Sequence, residues 1–388
     1  MTPQYSVLLS LIISLLVVSW IHPRLVKIAL LKNLVDNPDS RKLQRQPVPV
    51  LGAIAVFFGI VIGIGSVESA VNSSGLLIVI MAMMAMLYTG TMDDILNLSP
   101  ALRFLIEILV VLLLIHAGGY CIDDFHGLWG IGRIPRWIAV PLTVVASVGI
   151  INAINLIDGV NGLSSGFCIL ACMMFGTLFY LSGDMKMTLL AVVSVGALIP
   201  FFFHNVFGKT SKMFIGDGGT LVMGIIMSIF VIEILQSGSL CAAYVGESIG
   251  LIPFALAVLC IPVFDTLRVM STRILKGTSP FHPDKTHLHH MFIELGASHM
   301  ATTLAILSLN VSVVLGWWLL AVSGAPIDVQ LYAVAGMSLL ATFGLYHFMQ
   351  WHLDRNTELL RKIRRIGYGI HISRTRGFIW LQKTIDRI

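Results

Sequence analysis

Long runs of apolar residues, separated by short polar segments, make up most of this chain. A helix needs ~20 consecutive apolar residues to cross the hydrocarbon core of a bilayer. The runs that approach this length cover residues 5–21, 50–66, 75–92, 101–117, 137–154, 163–181, 187–203, 219–236, 250–267, 301–323 and 329–350. The pattern therefore predicts an all-α polytopic membrane protein with about eleven transmembrane helices.

The composition supports this fold class and excludes a soluble globular protein. Of the 388 residues, 56% are hydrophobic and 12% are charged, and the mean hydropathy is +0.89. A soluble domain has ~25% charged residues. The five cysteines form no CxxC pair, so the sequence indicates neither a disulfide framework nor a zinc cage.

The positions of the cations predict the topology. No Lys or Arg precedes the first apolar run, whereas Arg24, Lys27 and Lys32 follow it, which is the reverse of the order in a signal peptide. With eleven spans and an outside N-terminus, 22 of the 25 Lys and Arg residues fall in cytoplasmic segments. Because cytoplasmic loops are enriched in these residues, we expect the N-terminus outside and the C-terminus in the cytoplasm.

The chain divides into a predicted transmembrane region, residues 1–350, and a basic tail, residues 351–388. In the tail, Lys and Arg are interspersed with Leu, Ile and Trp, which is typical of an amphipathic helix or helix pair lying on anionic lipid. A positively charged stop after the last span explains the same residues equally well.

Polar residues gather at the predicted cytoplasmic ends of the spans. The acidic and amide residues among them are Asp93, Asp94, Asn152, Asn155, Asp158, Asn205, Asp217 and Asp265. A carboxylate beside hydrocarbon is unfavourable, so several acidic clusters on one membrane face indicate a shared cation or cationic ligand. The adjacent Asp93 and Asp94 suit a general base beside a divalent ion, although the same pair could simply cap a span end in solvent.

Residues 152–162 carry the most specific signal. Asn152, Asn155 and Asp158 recur at every third position and share one arc of a helix, while Gly159 and Gly162 allow a ligand to approach closely. Hydrogen bonding between helices is the alternative, and it explains one Asn more readily than three aligned polar groups.

A second motif, Gly216-Asp217-Gly218-Gly219, opens a later span. Its glycines allow the backbone to fold around a phosphate at a helix N-terminus, and Asp217 offers a hard oxygen ligand for Mg²⁺. A turn with an N-cap is the alternative interpretation of these residues.

The loop 277–290 is rich in histidine and contains His287, His289 and His290 beside Lys285. The absence of an HExxH motif and of a nearby Cys argues against a zinc site. The residue types favour either a loop that binds phosphate or sugar hydroxyls, or a plain surface loop.

Cations in the same predicted cytoplasmic segments would complete a pocket for a Mg²⁺-bound polyphosphate. They are Arg41, Lys42, Arg45, Arg103, Lys209, Lys212, Arg268 and Arg273. Nothing indicates nucleic-acid binding.

These motifs resemble, in order along nearly the whole chain, those of the polyprenyl-phosphate N-acetylhexosamine-1-phosphate transferases, and most closely the WecA/TagO branch. The matching segments are Val35–Pro38 with Pro47–Gly52, Asp93–Asp94, Asn152–Leu163, Phe214–Asp217, Pro262–Arg268 and Ser279–His290. The chain departs from the family pattern at four places. Gln44, Ala53 and Asn161 stand where many members have His, Gly and Asp, and Gly218-Gly219-Thr220 stands in place of the commoner xGS. The change at Asn161 removes one carboxylate from the expected site.

The resemblance implies Mg²⁺-dependent transfer of an N-acetylhexosamine 1-phosphate, with GlcNAc as the expected sugar, from its UDP derivative to undecaprenyl phosphate. The reaction would release UMP and start the synthesis of a lipid-linked cell-surface polysaccharide. Mn²⁺ is the alternative cofactor. The active site would lie at the cytoplasmic face of residues 1–350, in a multi-pass protein of the plasma (inner) membrane.

The resemblance also implies roles for individual residues. Asp217 and Asp94 are expected to bind the metal, and Asp93, Asp94 and Asp158 to be catalytic, with Asp93 as the base. The nucleotide sugar would contact Asn152, Asn155, Asp158, Asn205, Arg268, His287, His289 and His290. The lipid phosphate would contact Lys42, Arg45 and Arg103. A phospho-enzyme formed on an Asp is the competing mechanism.

Two other classes of protein stay open. A Mg²⁺-dependent membrane prenyltransferase would explain the aspartate pair, but the sequence has no second Asp-rich motif. A secondary transporter would explain the many spans, but we find no broken spans in paired repeats. The sequence leaves the oligomeric state undecided, with a homodimer among the options.

Overall fold

The computed structural model describes residues 3–36, 47–67, 74–246, 249–280, 285–369 and 375–387, and these are mostly helical. A 3₁₀ turn lies at Leu128–Gly130 and a π-helical turn at Leu340–Gly344. In chain order the α-helices are α1 (Pro3–Leu31), α2 (Gly52–Gly65), α3 (Ser74–Leu96), α4 (Pro100–Gly118), α5 (Arg136–Leu156), α6 (Leu163–Ser182), α7 (Met185–Phe207), α8 (Gly216–Leu235), α9 (Leu240–Val245), α10 (Leu251–Val258), α11 (Cys260–Leu275), α12 (Leu288–Glu294), α13 (His299–Val322), α14 (Ile327–Leu339), α15 (Leu345–Asp354), α16 (Glu358–Gly369) and α17 (Arg376–Ile385).

Each of the eleven predicted apolar runs coincides with a helix or a bent helix pair. Within the described ranges, nine helices are long and apolar enough to cross a membrane, and α10 with α11, bent by 75°, makes a tenth candidate. The remaining run is α2, whose 14 residues span only ~21 Å. The prediction of an all-α polytopic membrane protein is confirmed, while the number of crossings and the sidedness stay predictions.

The helix α8 is the centre of the bundle. From Gly218 to Leu235 every residue of this helix is buried. The sequence is compatible with this position, because a helix that is apolar on all sides can pack inside other helices as well as face lipid. The helices α3 and α5 pack along it, and on the α5 side Gly224 lies against the backbone of Ile151.

The helix α1 continues to Leu31, ten residues beyond the predicted end of the first span at residue 21. Val26 and Ala29 in this extension are buried in a small apolar cluster with Leu51 and Met213. Because these partners are distant in sequence, the local pattern of α1 alone does not reveal the extension.

Two short strands follow α1 and were not expected from the sequence. The strand β1 (Val35–Asp36) pairs antiparallel with β2 (Val48–Pro49), so that Val35 lies opposite Pro49. The carbonyl oxygen of Pro49 also accepts a hydrogen bond from the backbone N–H of Phe214, at 2.8 Å. The strand pair is thereby attached to the segment that leads into α8.

The basic tail forms the helices α16 and α17, which agrees with a predicted helix pair. Both pack partly on the bundle, since Leu360 and Ile385 are buried. Contact of their basic residues with anionic lipid stays a prediction.

The close contact at Gly224 yields a stability prediction. A Cβ atom at this position would lie 2.7 Å from the Cα atom of Ile151, so Gly224→Ala must push α5 and α8 apart. We expect a loss of about 1–3 kcal/mol, which is typical of overpacking. Gly149→Ala in α5 is the matched control, because its Cβ would have no neighbour within 4 Å. Thermal unfolding in detergent should show a lower midpoint for Gly224→Ala alone, and equal midpoints would contradict this packing.

Candidate active site

A cavity of about 1040 Å³ opens at the end of the bundle where α8 begins. Segments far apart in sequence line this cavity. The helices α3, α5 and α7 end here, and residues of α12 and of the strand pair complete the lining. Its polar lining residues are Asp36, Asp93, Asp94, Asn97, Asn155, Asp158, Asn161, Asn205, Lys209, Thr210, Lys212, Asp217, His290 and His299. The structure thus brings seven of the sequence-predicted site residues to one cavity, namely Asp93, Asp94, Asn155, Asp158, Asn205, Asp217 and His290.

Asp94 connects α3 to the first turn of α8. Its Oδ1 atom accepts a hydrogen bond from the backbone N–H of Asp217 at 3.0 Å, and Oδ2 lies 3.4 Å from the N atom of Gly218. A carboxylate at this position satisfies free N–H groups and interacts favourably with the helix dipole. The approach is possible because Gly90 lies directly against the backbone of residues 217–218, where a Cβ atom would clash.

Asp93 is held by Arg103. The Arg103 Nη1 atom donates to Asp93 Oδ2 at 3.1 Å, and the backbone N–H of Leu98 donates to Asp93 Oδ1 at 2.8 Å. The guanidinium also lies 4.0 Å from Asp217 Oδ2. Arg103 therefore sits behind the carboxylates and does not line the cavity, where a contact with lipid phosphate was expected.

Glu107 is a buried partner of Arg103 that the sequence reasoning missed. The Arg103 Nε atom lies 3.6 Å from Glu107 Oε1, and the Glu107 side chain has no exposed surface. Asn152 links the pair, because its Nδ2 donates to Glu107 Oε2 at 2.5 Å and its Oδ1 accepts from Arg103 at 3.1 Å. A carboxylate inside an apolar run, four residues after Arg103, was the signal that could have identified it.

The three polar residues on one arc of α5 and its following loop have different surroundings. Asn152 faces α4 and serves the interhelical hydrogen bonding that was the alternative interpretation. Asn155 donates to Asp217 Oδ1 at 2.7 Å and to Thr220 Oγ1 at 2.8 Å, beside the cavity. Asp158 accepts from Ser164 Oγ at 2.6 Å. Burial raises the pKa of Asp158 to about 6, although the Ser164 hydrogen bond opposes this rise.

Asn205 holds two loops of the cavity together. Its Oδ1 atom accepts a hydrogen bond from the backbone N–H of Gly162 at 2.7 Å, and its Nδ2 donates to the carbonyl oxygen of Met213 at 2.9 Å. Both functional groups of the amide are thus engaged. Asn205 shapes the wall of the cavity through these bonds.

Arg268, and His287 of the histidine-rich loop, are buried away from the cavity. Arg268 is fully buried, donates to Asp265 Oδ1 at 2.7 Å and stacks 3.7 Å from the ring centroid of Tyr346. His287 Nδ1 is 2.9 Å from Asp265 Oδ2. The structure does not bring Arg268 or His287 to the cavity, where donor contacts were expected, because the buried carboxylate of Asp265 pairs with both.

The other two histidines differ in exposure. His289 is buried against Gly159, which has no space for a Cβ atom beside the imidazole. Burial holds the pKa of His289 well below its usual range, so the ring is neutral at neutral pH. His290 lines the cavity, in contrast to the other histidines of this loop that the structure describes. Lys42 and Arg45 lie outside the described residues.

The carboxylates fit a Mg²⁺ ion that shares its ligands with a bound phosphate. Among the described residues, no group of three His, Cys, Asp or Glu side chains is arranged to hold a metal ion on its own. Mg²⁺ is commonly bound through one or two carboxylates together with substrate phosphates and water. Asp217, whose side chain is 36% exposed, and Asp94 both line the cavity and offer such ligands.

Comparisons with known proteins agree with the motifs. Residues 76–235 match the model of "Glycosyl transferase family 4". A Bacillus subtilis (strain 168) protein described as "Probable undecaprenyl-phosphate N-acetylglucosaminyl 1-phosphate transferase" is 31% identical over 301 residues, which are 77% of this chain and 81% of that protein.

Two further relatives are described as "Undecaprenyl-phosphate alpha-N-acetylglucosaminyl 1-phosphate transferase". The one from Escherichia coli O157:H7 is 27% identical and the one from Yersinia pestis is 29% identical, each over 70% of this chain and 72% of the relative. The matches therefore extend well beyond the region of the family model. The chain belongs to glycosyl transferase family 4, in the WecA/TagO-like branch that its motifs indicated.

Proposed function

We propose that this protein transfers N-acetylglucosamine 1-phosphate from UDP-N-acetylglucosamine to undecaprenyl phosphate in a Mg²⁺-dependent reaction that releases UMP. The observation that carries the proposal is the single cavity in which Asp93, Asp94, Asp158 and Asp217 meet Lys209 and Lys212. Carboxylates that bind Mg²⁺ and cations that bind phosphate are the groups that phosphoryl transfer requires. The activities in the descriptions of the relatives support the lipid acceptor and the GlcNAc 1-phosphate group.

The reaction exchanges one phosphoanhydride bond for another. An oxygen of the lipid phosphate attacks the phosphorus atom attached to the sugar, a new P–O bond forms, and the P–O bond to UMP breaks. A bound Mg²⁺ ion, held by Asp217 and Asp94, would supply charge neutralisation for the diphosphate. Lys209 and Lys212 line the same cavity and would contact further phosphate oxygens.

In this proposal Asp93 is the base that accepts a proton from the lipid phosphate. Its carboxylate is oriented by Arg103 and by the backbone N–H of Leu98. Asn155, Asp158 and His290 would contact the nucleotide sugar, as their places at the cavity allow. Asn205, whose amide is engaged by Gly162 and Met213, would hold the wall of the cavity around the nucleotide sugar. A phospho-enzyme formed on an Asp remains the competing mechanism, since the same carboxylates could act as nucleophiles.

The site and the family together argue against the two other classes. A secondary transporter would need its ionisable groups near the middle of the membrane, whereas these carboxylates lie at one end of the bundle. A prenyltransferase would not explain the relatives, which are described as sugar-phosphate transferases. The proposed reaction would start the synthesis of a lipid-linked polysaccharide at the predicted cytoplasmic face of the plasma membrane.

The first prediction concerns substrate and metal dependence. UMP should form only when UDP-GlcNAc, undecaprenyl phosphate and Mg²⁺ are all present with the detergent-purified protein. Asp217→Asn should lower the rate roughly a hundredfold or more, because a metal ligand and its charge are lost. Asp328→Asn is the control, since Asp328 accepts a hydrogen bond from the backbone N–H of Trp129 and lies away from the cavity. UMP formation without lipid, or an active Asp217→Asn variant, would contradict the proposal.

The second prediction concerns Glu107. Glu107→Gln removes the charge that holds the Arg103 guanidinium on the side away from Asp93, so the orientation of the base should deteriorate. We expect kcat to fall roughly ten- to a hundredfold, as for a small displacement of a catalytic group. The KM for the UDP-sugar should change little, because Glu107 does not line the cavity.

The matched control is Glu233→Gln, which makes the same change at another buried glutamate in the last turns of α8, remote from the cavity. Steady-state kinetics of the two variants should differ in kcat. Equal kcat values would show that Glu107 does not orient Arg103 for the reaction.

A further inference from the structure

The carboxylate of Asp386, at the end of the tail, lies on the loop 208–215 that leads into α8. Its Oδ1 atom accepts hydrogen bonds from the backbone N–H groups of Lys209, Thr210 and Ser211, each at 3.1 Å. The Ser211 hydroxyl donates to the same oxygen at 2.9 Å. One side chain therefore binds three successive backbone donors of a loop that is about 175 residues away in sequence.

This loop forms part of the cavity wall. Lys209, Thr210 and Lys212 line the cavity, and the loop ends at Gly216 and Asp217. Lys212 is half-buried, and burial lowers its pKa. A change in the shape of the loop would move both lysines relative to the carboxylates.

On the opposite side, Ser211 is held by two histidines of the bundle. His22 Nε2 lies 2.9 Å from the carbonyl oxygen of Ser211, and His204 Nδ1 lies 3.0 Å from its hydroxyl oxygen. The two imidazole rings stack with their centroids 4.2 Å apart. Ser211 is thus fixed from the bundle by α1 and α7 and from outside by Asp386.

The helix α17 places Asp386 at its own C-terminus. A carboxylate at a helix C-terminus interacts unfavourably with the helix dipole, so its donors must offset this cost. Burial tends to raise the pKa of Asp386, but the hydrogen bonds from Ser211, Lys209 and Thr210 outweigh it and hold this pKa below its usual range. The helix itself is docked by Phe378, whose ring centroid is 5.0 Å from that of Phe207.

We propose that Asp386 is a positioning residue of the active site, which fixes the 208–215 loop so that Lys209 and Lys212 face the donor diphosphate. The inference rests on the proposed function, because it assigns the donor diphosphate to these lysines. It makes the C-terminal helix a part of the catalytic region. The tail then has a role in shaping the active site, besides the predicted contact of its basic residues with lipid.

The experiment compares Asp386→Ala and Asp386→Asn with wild type in the UMP-release assay. Asp386→Ala removes both carboxylate oxygens that accept hydrogen bonds from the loop. The KM for UDP-GlcNAc should therefore rise roughly ten- to a hundredfold, with kcat within about threefold of wild type. Asp386→Asn retains a carbonyl oxygen for the loop and should recover much of this loss. Glu358→Ala is the control, since Glu358 is an exposed tail carboxylate that pairs with Lys362.

A second measurement does not depend on activity. Trypsin cleaves after lysine, and Lys209 and Lys212 lie on the loop in question, so Asp386→Ala should be cleaved there faster than wild type and Glu358→Ala should not. Thermal unfolding of the same samples in detergent tests whether the variant remains folded. A raised KM together with faster cleavage at an unchanged unfolding midpoint supports the proposal.

Three outcomes would overturn it. An unchanged KM with unchanged cleavage would show that the loop keeps its shape without Asp386. A higher kcat/KM in Asp386→Ala would identify the contact as inhibitory. A lower kcat and a lower unfolding midpoint at constant KM would indicate a general structural role. If wild type itself released no UMP, the proposed function would fail, and the cleavage rates would still report on the loop.

Discussion

The contact between the Asp94 carboxylate and the first N–H groups of α8 is the interaction on which the rest of the structure depends. It joins the end of one membrane helix to the start of the most deeply buried one. Without a partner, free N–H groups at this depth would be costly, and the carboxylate supplies that partner. The apolar bundle therefore fixes the depth of α8, and the acidic contact fixes where its N-terminus opens to the cavity.

Around this contact the polar groups divide into those that hold the walls and those that face the open space. Arg103, Glu107 and Asn152 form a buried support behind the aspartates, and Asp265 with its partners forms another behind the histidine-rich loop. The groups at the cavity are mainly carboxylates and lysines. Such an arrangement places carboxylates and lysines at one cavity, which suits a ligand that carries both a metal ion and phosphates.

The sequence predicted the fold class and most of the residues at the cavity, because both depend on local signals. Apolar runs indicate helices, and Asp93, Asp158 or Asp217 are conspicuous at the ends of such runs. Arg268 could not be placed in this way, since its burial on Tyr346 depends on a helix about 80 residues further along. Likewise, the extension of α1 depends on Leu51 and Met213, and Asn152 has its role only because α4 presents Glu107.

The packing of Gly90 against the backbone of residues 217–218 has a consequence for the divergence of such enzymes. The spacing of the Asp94 and Asp217 carboxylates is set there by two main chains in contact. Under the proposed function, the loops that contact the sugar can then differ in sequence while this spacing of the carboxylates is kept. The same contact makes any substitution of Gly90 unfavourable, because even a single methyl group would separate α3 from α8.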